Sequence, residues 1–546
     1  MELDPKGGIP MRRLRLKKLD RKDLLATFRW PSPRWFNLAT DTVDRWAKVK
    51  PGDLALLEPG GRKATYAQLS LLSMKWAVVL RAYGVSPGDR VAILFPQGLE
   101  AALAHLATYR IGAIALPLSV LFGSEAVRYR LEHGEARVLL ADREALEPLE
   151  GAIPDGVKII PKEALWTLAE KAIPDPKPHP TQPSDPAILI YTSGTTGKPK
   201  GALLPHGTLI GHFPGFYLYS NFPRRPATYW SPADWAWMGG LMDVLFPALY
   251  YGFTVIAYRA KRFDPEEALW LMEHFGVTHT FLFPTALKML RSLGAIRGKR
   301  LRLRSIHSGG EPLGEELQAW AQENLGLPVN EFYGQTEANL LVGNSFSIYP
   351  IRPGSMGLPY PGHEVVVLRE DGSLAEPGEL GEIALKTPDP VAFLGYWKNP
   401  EATQAKFLGP YLLTGDLATV DDEGYLWFKG RKDDLIKSAG YRISPFEVEE
   451  VLLTHPGVAM VGVVGLPDPE RGEKVVAFVK LRPGYLPSPG LTEELKTLVR
   501  SKVGHHAYPR EVRFVEELPL TPTGKIQRFR LRTLAQEAKK NGEVSG

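Results

Sequence analysis

The spacing of hydrophobic residues changes repeatedly between a helical and a strand period through the first four hundred residues. Apolar residues three and four positions apart predict helices over residues 66–83, 99–111 and 284–293. Short apolar runs between them predict strands over residues 90–94, 113–116, 187–190, 278–283 and 303–307. Such alternation is typical of parallel βαβ units, in which helices cover both faces of a sheet. We therefore expect ligands to bind where the carboxyl ends of the strands converge.

The pattern changes twice in the second half of the chain. Short strand-like segments at residues 364–368, 381–386 and 424–429 predict a small antiparallel sheet or barrel. Further on, the order helix, strand, strand, helix predicts an α+β unit, with elements at residues 446–453, 458–464, 474–481 and 492–503. The sequence thus predicts an N-terminal extension over residues 1–35, a large domain over residues 36–430 and a C-terminal domain over residues 431–546.

Composition narrows the classes of function. Of the 546 residues, 44 % are hydrophobic and 23 % are charged, and the net charge is only +5. The basic run Arg12–Lys18 is better explained as a solvated terminus than as a patch for nucleic acid or membrane. The longest apolar region, residues 241–258, contains Asp243, Pro247 and Gly252, which predicts buried core rather than a membrane span.

The absence of cysteine excludes disulfides, thiolate metal sites and cysteine nucleophiles. It also fits a reducing compartment, and no secretory pattern follows the basic N-terminal residues. We therefore expect a cytoplasmic protein.

One Gly-rich loop is the strongest candidate for a phosphate site. Residues 191–201 read YTSGTTGKPKG and follow the strand predicted over residues 187–190. A P-loop would need Gly at position 192 and Ser or Thr at position 199, whereas this chain has Thr192 and Pro199. Glycines let the backbone approach a polyanion closely, while the hydroxyl groups and lysines supply donors and charge. The alternative is an ordinary surface turn.

Two further candidates follow predicted strands. Residues 333–337 read YGQTE, and a Thr hydroxyl beside a carboxylate suits a phosphate with its Mg²⁺. A helix start is the alternative interpretation of Thr336 and Glu337. Residues 308–313, SGGEPL, form a predicted turn between strand and helix, or equally a helix entry with Pro312 in the first turn.

Three candidates lie nearer the C-terminus. In residues 413–416, LTGD, an Asp on a Gly turn after a strand could accept both hydroxyls of a ribose, or could cap the turn. Residues 430–434, GRKDD, lie at the predicted domain boundary and are alternatively a solvated linker. Residues 520–526, LTPTGKI, place Lys525 on a Gly turn that is otherwise an exposed loop.

The order of these six stretches resembles that of the adenylate-forming superfamily, which includes acyl-CoA synthetases, luciferases and peptide-synthetase adenylation domains. The resemblance extends from about Phe36 to Leu531, and the segments WSPADWAW (230–237) and GYWKNP (395–400) are most similar to medium-chain acyl-CoA synthetases. It implies an α/β fold whose large N-terminal domain has two βαβ subdomains and a small β-barrel, followed by a small mobile α+β C-terminal domain. It also implies a reaction in two steps: a carboxylate attacks the α-phosphate of ATP, and CoA then displaces AMP.

The resemblance implies a role for each matching residue. A clamp on the β- and γ-phosphates is implied for Thr192, Ser193, Gly194, Thr195, Thr196, Gly197, Lys198, Lys200 and Gly201. Thr336 would contact the α-phosphate, Glu337 would bind Mg²⁺, and Lys525 would bridge the attacking carboxylate and the α-phosphate. The remaining nucleotide contacts would be Gly310, Glu311 and Pro312 at the adenine, Asp416 and Arg431 at the ribose, Arg442 near the adenylate phosphate, and Tyr333, Gly334 and Gln335.

The second step is implied to use a different face of the C-terminal domain. Asp433 matches the hinge about which that domain would swing. Gly440 and Tyr441 would then line the channel for the pantetheine arm of CoA. Arg471, Arg500 and Arg510 are candidate contacts for the CoA phosphates.

The resemblance to the family also narrows the class of acid that the enzyme is expected to use. Acetate-specific relatives carry a Trp where this chain has Gly334, so Gly334, with Gly239 and Gly240 opposite, implies room beyond two carbons. Trp237 and Met238 would form an apolar wall, and no cation is placed to meet a second carboxylate. The expected substrates are a medium-chain monocarboxylic acid, ATP with Mg²⁺, and CoA.

Other interpretations stay open at this point. The acid could be aromatic or short and branched, and the acceptor could be a group other than CoA. A non-catalytic AMP-binding sensor is disfavoured because Lys525, Glu337 and Asp416 are all present. A homodimer is compatible with the sequence, whereas neither nucleic-acid binding nor a membrane span is expected.

Overall fold

The computed structural model describes residues 20–149, 151–192, 198–260, 262–294, 296, 299–520 and 525–540. Within them the strands are β1 (Leu54–Leu57), β2 (Lys63–Thr65), β3 (Arg90–Leu94), β4 (Ile114–Pro117), β5 (Ala136–Ala141), β6 (Lys158–Pro161), β7 (Pro186–Thr192), β8 (Lys200–Pro205), β9 (Thr228–Trp230), β10 (Thr254–Ile256), β11 (His279–Phe281), β12 (Ser305–Gly309), β13 (Val329–Gln335), β14 (Ala338–Gly343), β15 (Leu358–Pro359), β16 (Val365–Leu368), β17 (Gly381–Lys386), β18 (Gly395–Tyr396), β19 (Phe407–Leu408), β20 (Tyr411–Val420), β21 (Leu426–Arg431), β22 (Ile436–Ser438), β23 (Tyr441–Ile443), β24 (Val458–Asp468), β25 (Gly472–Leu481) and β26 (Glu511–Phe514).

The helices of the described residues are α1 (Arg21–Thr27), α2 (Arg45–Val49), α3 (Tyr66–Ala82), α4 (Leu99–Arg110), α5 (Ser124–His133), α6 (Arg143–Leu146), α7 (Lys162–Lys171), α8 (Thr208–Tyr219), α9 (Met238–Gly240), α10 (Phe246–Tyr250), α11 (Pro265–His274), α12 (Pro284–Ser292), α13 (Glu315–Asn324), α14 (Pro400–Gln404), α15 (Pro445–Leu453), α16 (Pro489–Lys502) and α17 (Arg528–Lys540). Short π-helical turns cover Thr40–Asp44 and Leu241–Leu245, and 3₁₀ turns cover Glu147–Leu149 and Lys432–Asp434. Among the residues described, no helix is long and apolar enough to span a bilayer.

Two large sheets have parallel centres, as the alternation of strands and helices predicts. The nine-stranded sheet has the order β15-β14-β13-β12-β11-β9-β10-β1-β2. Its central strands β13, β12, β11, β9, β10 and β1 are parallel to one another. The seven-stranded sheet has the order β18-β8-β7-β4-β3-β5-β6, with β7 to β6 parallel and with β8 and β18 antiparallel at one edge. These sheets are the two predicted βαβ systems.

Two smaller sheets follow. One has the order β16-β17-β20-β19, with β21 paired to β20, and the other has the order β23-β22-β25-β24, with β26 paired in parallel to β25. By its contacts the chain divides into two compact units. The first takes the described residues up to 192 with 199–365 and 385–414, and the second takes Lys198, 366–384 and those from 415 onward. The domain boundary predicted at residue 431 stays a prediction.

Local sequence explains where the long elements begin. Helix α3 starts at a capping box, in which the Thr65 hydroxyl accepts from the Gln68 amide and the Gln68 side chain accepts from the Thr65 amide. Every residue of α4 is buried, including Arg110, whose guanidinium pairs with Asp44 and donates to the Ser73 hydroxyl at 2.8 Å. A buried cation of this kind needs such partners because desolvation would otherwise destabilise it.

Three predicted turns differ from the structure. Thr414-Gly415-Asp416 lies inside β20 rather than in a turn after a strand, and Gly415 takes the left-handed φ of +79° within that strand. Thr336 and Glu337 form the turn of the β13–β14 hairpin, so the helix-start alternative is wrong. Helix α13 begins at Glu315, after Gly314 at φ +80°, so Pro312 precedes the helix.

Candidate active site

The predicted phosphate loop connects two antiparallel strands. Thr192 on β7 pairs with Lys200 on β8, Tyr191 pairs with Gly201, and the Thr192 hydroxyl donates to the Lys200 carbonyl at 3.3 Å. Gly201 is tightly packed there, because a Cβ atom would lie 2.9 Å from a methyl carbon of Leu189. The chain therefore leaves the loop along a strand, whereas a P-loop leads into a helix whose N-terminus binds phosphate. Five predicted clamp residues lie outside the described residues: Ser193, Gly194, Thr195, Thr196 and Gly197.

Helix α5 holds both ends of this loop. At the exit, the Tyr129 hydroxyl donates to the Pro199 carbonyl at 3.0 Å. At the entry, His133 Nδ1 lies 2.7 Å from the Tyr191 hydroxyl, and the Arg130 guanidinium carbon lies 5.6 Å from the Tyr191 ring centroid. Burial raises the pKa of the Tyr191 hydroxyl above its ordinary value, so it stays a hydrogen-bonding phenol at neutral pH.

The β13–β14 hairpin presents the YGQTE residues at its tip. The Glu337 side chain is buried, and its Oε1 accepts from the Tyr396 hydroxyl at 2.5 Å. Gln335 donates from Nε2 to the Thr414 carbonyl at 3.0 Å, and Lys406 Nζ donates to Gln335 Oε1 at 3.3 Å. Tyr396 and Lys406 were missed by the sequence analysis, since both reach the hairpin only through tertiary contacts.

The three glycines expected to open an acyl pocket are needed for close packing instead. A Cβ at Gly334 would lie 2.3 Å from the Leu340 amide nitrogen on β14, and a Cβ at Gly240 would lie 2.4 Å from the Ala233 carbonyl oxygen. A Cβ at Gly239 would lie 2.9 Å from the Phe281 ring. Backbone atoms fill the space beside Gly334 and Gly240. These two glycines therefore do not by themselves indicate room for an acid longer than two carbons. Their assignment to the acyl pocket stays a prediction.

The side chains at and next to Gly239 are nevertheless apolar. The Trp237 ring meets the Phe122 ring edge-on with 5.7 Å between centroids. Met238 is buried at the start of α9, and Phe281 at the end of β11 lies against Gly239. The Phe281 ring stacks with His307 at 5.8 Å.

The SGGEPL residues, 308–313, begin within the end of β12 and continue into the loop that follows it. Gly309 ends that strand, and Gly310 follows in the left-handed region at φ +90°, which favours glycine. The Thr285 hydroxyl lies 3.5 Å from Glu311 Oε2. The predicted adenine contacts Gly310, Glu311 and Pro312 thus occupy a loop at the carboxyl end of a parallel strand, where ligands are expected.

The predicted ribose residues are cross-strand neighbours in the second unit. Asp416 on β20 faces Arg431 on β21, with 3.6 Å between Oδ1 and Nη1, and Arg431 Nε donates to Asp433 Oδ1 at 3.0 Å. Burial alone would lower the pKa of Arg431, but the Asp416 and Asp433 carboxylates raise it above its ordinary value. Glu382, also missed from sequence, accepts the Gly415 amide at 2.8 Å and pairs with Lys432 at 2.8 Å. It therefore holds the backbone of Gly415, the residue before Asp416.

The predicted hinge lies beside an anchored residue. Asp433 is exposed, whereas Asp434 is buried and accepts from Arg528 at 3.2 Å and from Arg532 at 3.1 Å. Lys525 is exposed, next to an isolated bridge between Leu520 and Ile526. Residues 521–524, the rest of that motif, lie outside the described residues.

The predicted CoA residues form two neighbouring groups in the second unit. Gly440 lies between β22 and β23, and the exposed Tyr441 lies 5.0 Å from the His506 ring. Arg442 pairs with Glu370.

Two of the three arginines predicted to bind the CoA phosphates lie over one tyrosine ring. Arg500 and Arg510 lie over the Tyr508 ring at 4.0 and 3.8 Å from its centroid. Partial burial and the positive charges of Arg471 and Arg500 lower the pKa of Arg510. The positive charges of Arg471 and Arg500 thus act on Arg510, which favours an anionic ligand at this place.

Comparison with known proteins decides the family. A model of the AMP-binding enzyme family matches residues 43–397, and a model of the AMP-binding enzyme C-terminal domain matches residues 447–525. The chain belongs to the AMP-binding enzyme family. The predicted membership of this superfamily and the predicted ligase class are thereby confirmed.

Similar proteins cover nearly the whole of this AMP-binding enzyme. It is 35 % identical to human acyl-coenzyme A synthetase ACSM4, over 92 % of this chain and 91 % of that protein. It is 34 % identical to the acetyl-coenzyme A synthetase of Bacillus subtilis, over 90 % of this chain and 89 % of that protein. The crystal structure of the anthranilate CoA ligase AuaEII with anthranoyl-AMP superposes with a TM-score of 0.85 at 29 % identity, covering 93 % of this chain and 99 % of that one. The predicted fold class is confirmed, and the enzyme is an acid–thiol ligase whose substrates are a carboxylic acid, ATP with Mg²⁺, and CoA.

The donor set of this AMP-binding enzyme fits a metal that arrives with the nucleotide. Among the described residues, no group of three or more His, Cys, Asp or Glu side chains could hold a metal ion. Mg²⁺ in nucleotide sites is commonly held by one or two carboxylates together with phosphate oxygens. A single oriented carboxylate at Glu337, with one oxygen bonded to Tyr396, suits that arrangement.

Proposed function

We propose that this enzyme activates a medium-chain monocarboxylic acid. The acid would attack the α-phosphate of ATP, giving acyl-AMP and pyrophosphate, and the CoA thiolate would then displace AMP. The observation that carries the proposal is the apolar character of the side chains next to Gly239: Trp237 packs on Phe122, Met238 is buried, and Phe281 lies against Gly239. Apolar side chains bind an alkyl chain better than charged ones do. Human ACSM4, a named acyl-coenzyme A synthetase, supports it by similarity.

The proposed roles follow the charge that develops in each step. Lys200 and the loop around it bind the leaving pyrophosphate, Thr336 contacts the α-phosphate, and Glu337 binds the Mg²⁺ that accompanies ATP. Lys525 stabilises the pentavalent transition state between carboxylate and α-phosphate. Since neither step needs a covalent enzyme intermediate, catalysis comes from positioning and electrostatic stabilisation.

The second half-reaction is assigned to the C-terminal residues. Asp433 is the proposed hinge, and Gly440 and Tyr441 line the proposed pantetheine channel. The positions of Arg500 and Arg510 over the Tyr508 ring support a CoA phosphate site, to which we also assign Arg471.

A panel of acids tests the proposed substrate. Acetate, butyrate, hexanoate, octanoate, decanoate, isovalerate, benzoate and anthranilate are supplied with ATP, Mg²⁺ and CoA, and kcat/KM is measured for each. We expect butyrate to decanoate to exceed acetate by at least about tenfold, because each buried methylene contributes roughly 0.8 kcal/mol. Acetate as the best substrate would overturn the proposal.

An aromatic acid is the second candidate. The Phe281 ring, stacked on His307 and 5.5 Å from Phe332, offers a flat surface to an aryl group. The similarity to an anthranilate CoA ligase points the same way. Benzoate or anthranilate at the top of the same panel would establish this alternative.

A further inference from the structure

Strand β18 connects the two phosphate-handling parts of the first unit. Tyr396 pairs with Ala202 and Gly395 with Leu203, both on β8, the strand that leaves the phosphate loop. The Trp397 amide extends the pairing by donating to the Gly201 carbonyl at 2.7 Å. The backbone of Tyr396 is therefore fixed relative to the exit of that loop.

The same segment also holds the hairpin tip. The Phe393 amide donates to the Glu337 carbonyl at 2.9 Å, and Ala338 forms a bridge with Ala392. The Tyr396 hydroxyl reaches Glu337 Oε1 at 2.5 Å, and the two side chains are only 9 % and 8 % exposed. Short bonds between a hydroxyl and a carboxylate are the stronger kind, since the acceptor is charged.

Tyr396 touches a second charged group through its ring. Lys200 Nζ lies 5.2 Å from the ring centroid, within the range of a cation–π interaction. One rigid side chain thus contacts the carboxylate of Glu337 with its hydroxyl and the ammonium of Lys200 with its face. Nothing in the motif comparison gave Tyr396 a role.

We propose that Tyr396 is a positioning residue that sets the Glu337 carboxylate for Mg²⁺ and keeps it apart from Lys200. The inference rests on the proposed roles of those two residues. The hydroxyl occupies Oε1, fixes the plane of the carboxylate and directs Oε2 to the metal. Without the hydroxyl, the carboxylate is free to turn toward Lys200, and an ion pair between them competes with both Mg²⁺ and phosphate.

The variant Tyr396→Phe removes only the hydroxyl and keeps the ring beside Lys200. Its matched control is Tyr349→Phe, because Tyr349 is also 9 % exposed and donates its hydroxyl to the Gly343 carbonyl at 2.6 Å. Binding of ATP without acid or CoA is measured by calorimetry, once with Mg²⁺ and once with EDTA. Binding of Mn²⁺ in the presence of ATP is followed by electron paramagnetic resonance.

The expected result is specific to the metal. Tyr396→Phe should bind Mg·ATP and Mn·ATP about tenfold more weakly, as is common when a residue that orients a metal ligand is lost. ATP in EDTA should bind as in the wild type, and Tyr349→Phe should match the wild type throughout. Unchanged Mg·ATP binding, or an equal loss with and without metal, would overturn the inference.

A double-mutant cycle tests whether Tyr396 acts on metal binding through Glu337. In a Glu337→Gln background, adding Tyr396→Phe should cause no further loss of Mg·ATP affinity, whereas independent losses would contradict the inference. Failure of the wild type to bind Mg·ATP or to form acyl-AMP would instead count against the proposed function itself.

Discussion

Glu337, assigned to the Mg²⁺ of ATP, and Lys525, assigned to the α-phosphate, are both single charged side chains, yet the molecule holds them in opposite ways. Glu337 is buried at a hairpin tip and bonded to a tyrosine hydroxyl at 2.5 Å. Lys525 is exposed in the second unit, next to the bridge between Leu520 and Ile526. Burying a charge is costly unless fixed partners compensate it, whereas a solvated charge can move at little cost.

The difference agrees with the proposed division of residues between the two half-reactions. A residue that handles the nucleotide in one arrangement can be built into a rigid hairpin. A residue that the family resemblance requires to leave after the first step is better placed on the surface. The exposed Tyr441, assigned to the second step, follows the pattern of Lys525.

The largest effect should separate the two steps. Lys525→Ala removes the cation that stabilises the first transition state, so ATP–pyrophosphate exchange should fall by about a thousandfold or more. Thioester formation from supplied acyl-AMP and CoA should stay close to the wild-type rate. The exposed Lys171→Ala serves as control, and equal loss in both half-reactions would contradict the division.

A smaller loss of ATP–pyrophosphate exchange is expected when the buried Glu337 is changed. Glu337→Gln keeps the shape and the bond from Tyr396 but removes the charge, so exchange should fall about a hundredfold and require more Mg²⁺. The exposed Glu364→Gln is the control. An unaltered Mg²⁺ dependence in a magnesium titration would remove Glu337 from the metal site.

Arg510→Ala should affect only the second step. The KM for CoA should rise about tenfold while ATP–pyrophosphate exchange is unchanged, since a charge-assisted bond to phosphate is lost. Arg530→Ala, an exposed arginine in the same unit, is the control. A raised KM for ATP with an unchanged KM for CoA would be the contrary result.

The smallest effect is on stability, and it concerns Asp243, which accepts a hydrogen bond from Asn339 on β14. Burial raises the pKa of Asp243 well above its ordinary value, although the Asn339 amide, which donates to it at 2.8 Å, opposes the shift. The folded state therefore holds a proton that the unfolded state releases, and the contribution of Asp243 to stability decreases as pH rises. Asp243→Asn should change the free energy of unfolding by less than about 1 kcal/mol at neutral pH and should gain relative to wild type at higher pH. Urea unfolding at several pH values measures this, and a relative loss at high pH would contradict it.

The sequence predicted the periodic helices and strands well, because the hydrophobic pattern of each element lies within its own stretch of sequence. Helix α3 ends one residue before its prediction, and strand β3 and strand β17 match theirs. The motif order also brought out Glu337, Asp416 and Lys525, since each lies within a short local stretch.

Local patterns failed where partners distant in sequence decide the structure. The sequence Thr-Glu suits a helix start as well as a hairpin turn, and only pairing with β14 selects the turn. Gly334 gave no sign that Leu340 would crowd it, and Tyr396 is 59 positions from Glu337. Such contacts arise from the packing of the sheets and cannot be derived from spacing along the chain.

The most direct measurement follows the oxygen of the acid. Octanoate labelled with oxygen-18 in its carboxylate is converted with ATP, Mg²⁺ and CoA, and the AMP is analysed by mass spectrometry. Attack of the carboxylate on the α-phosphate predicts one labelled oxygen in the AMP and none in pyrophosphate. Unlabelled AMP, or label in inorganic phosphate, would contradict the account.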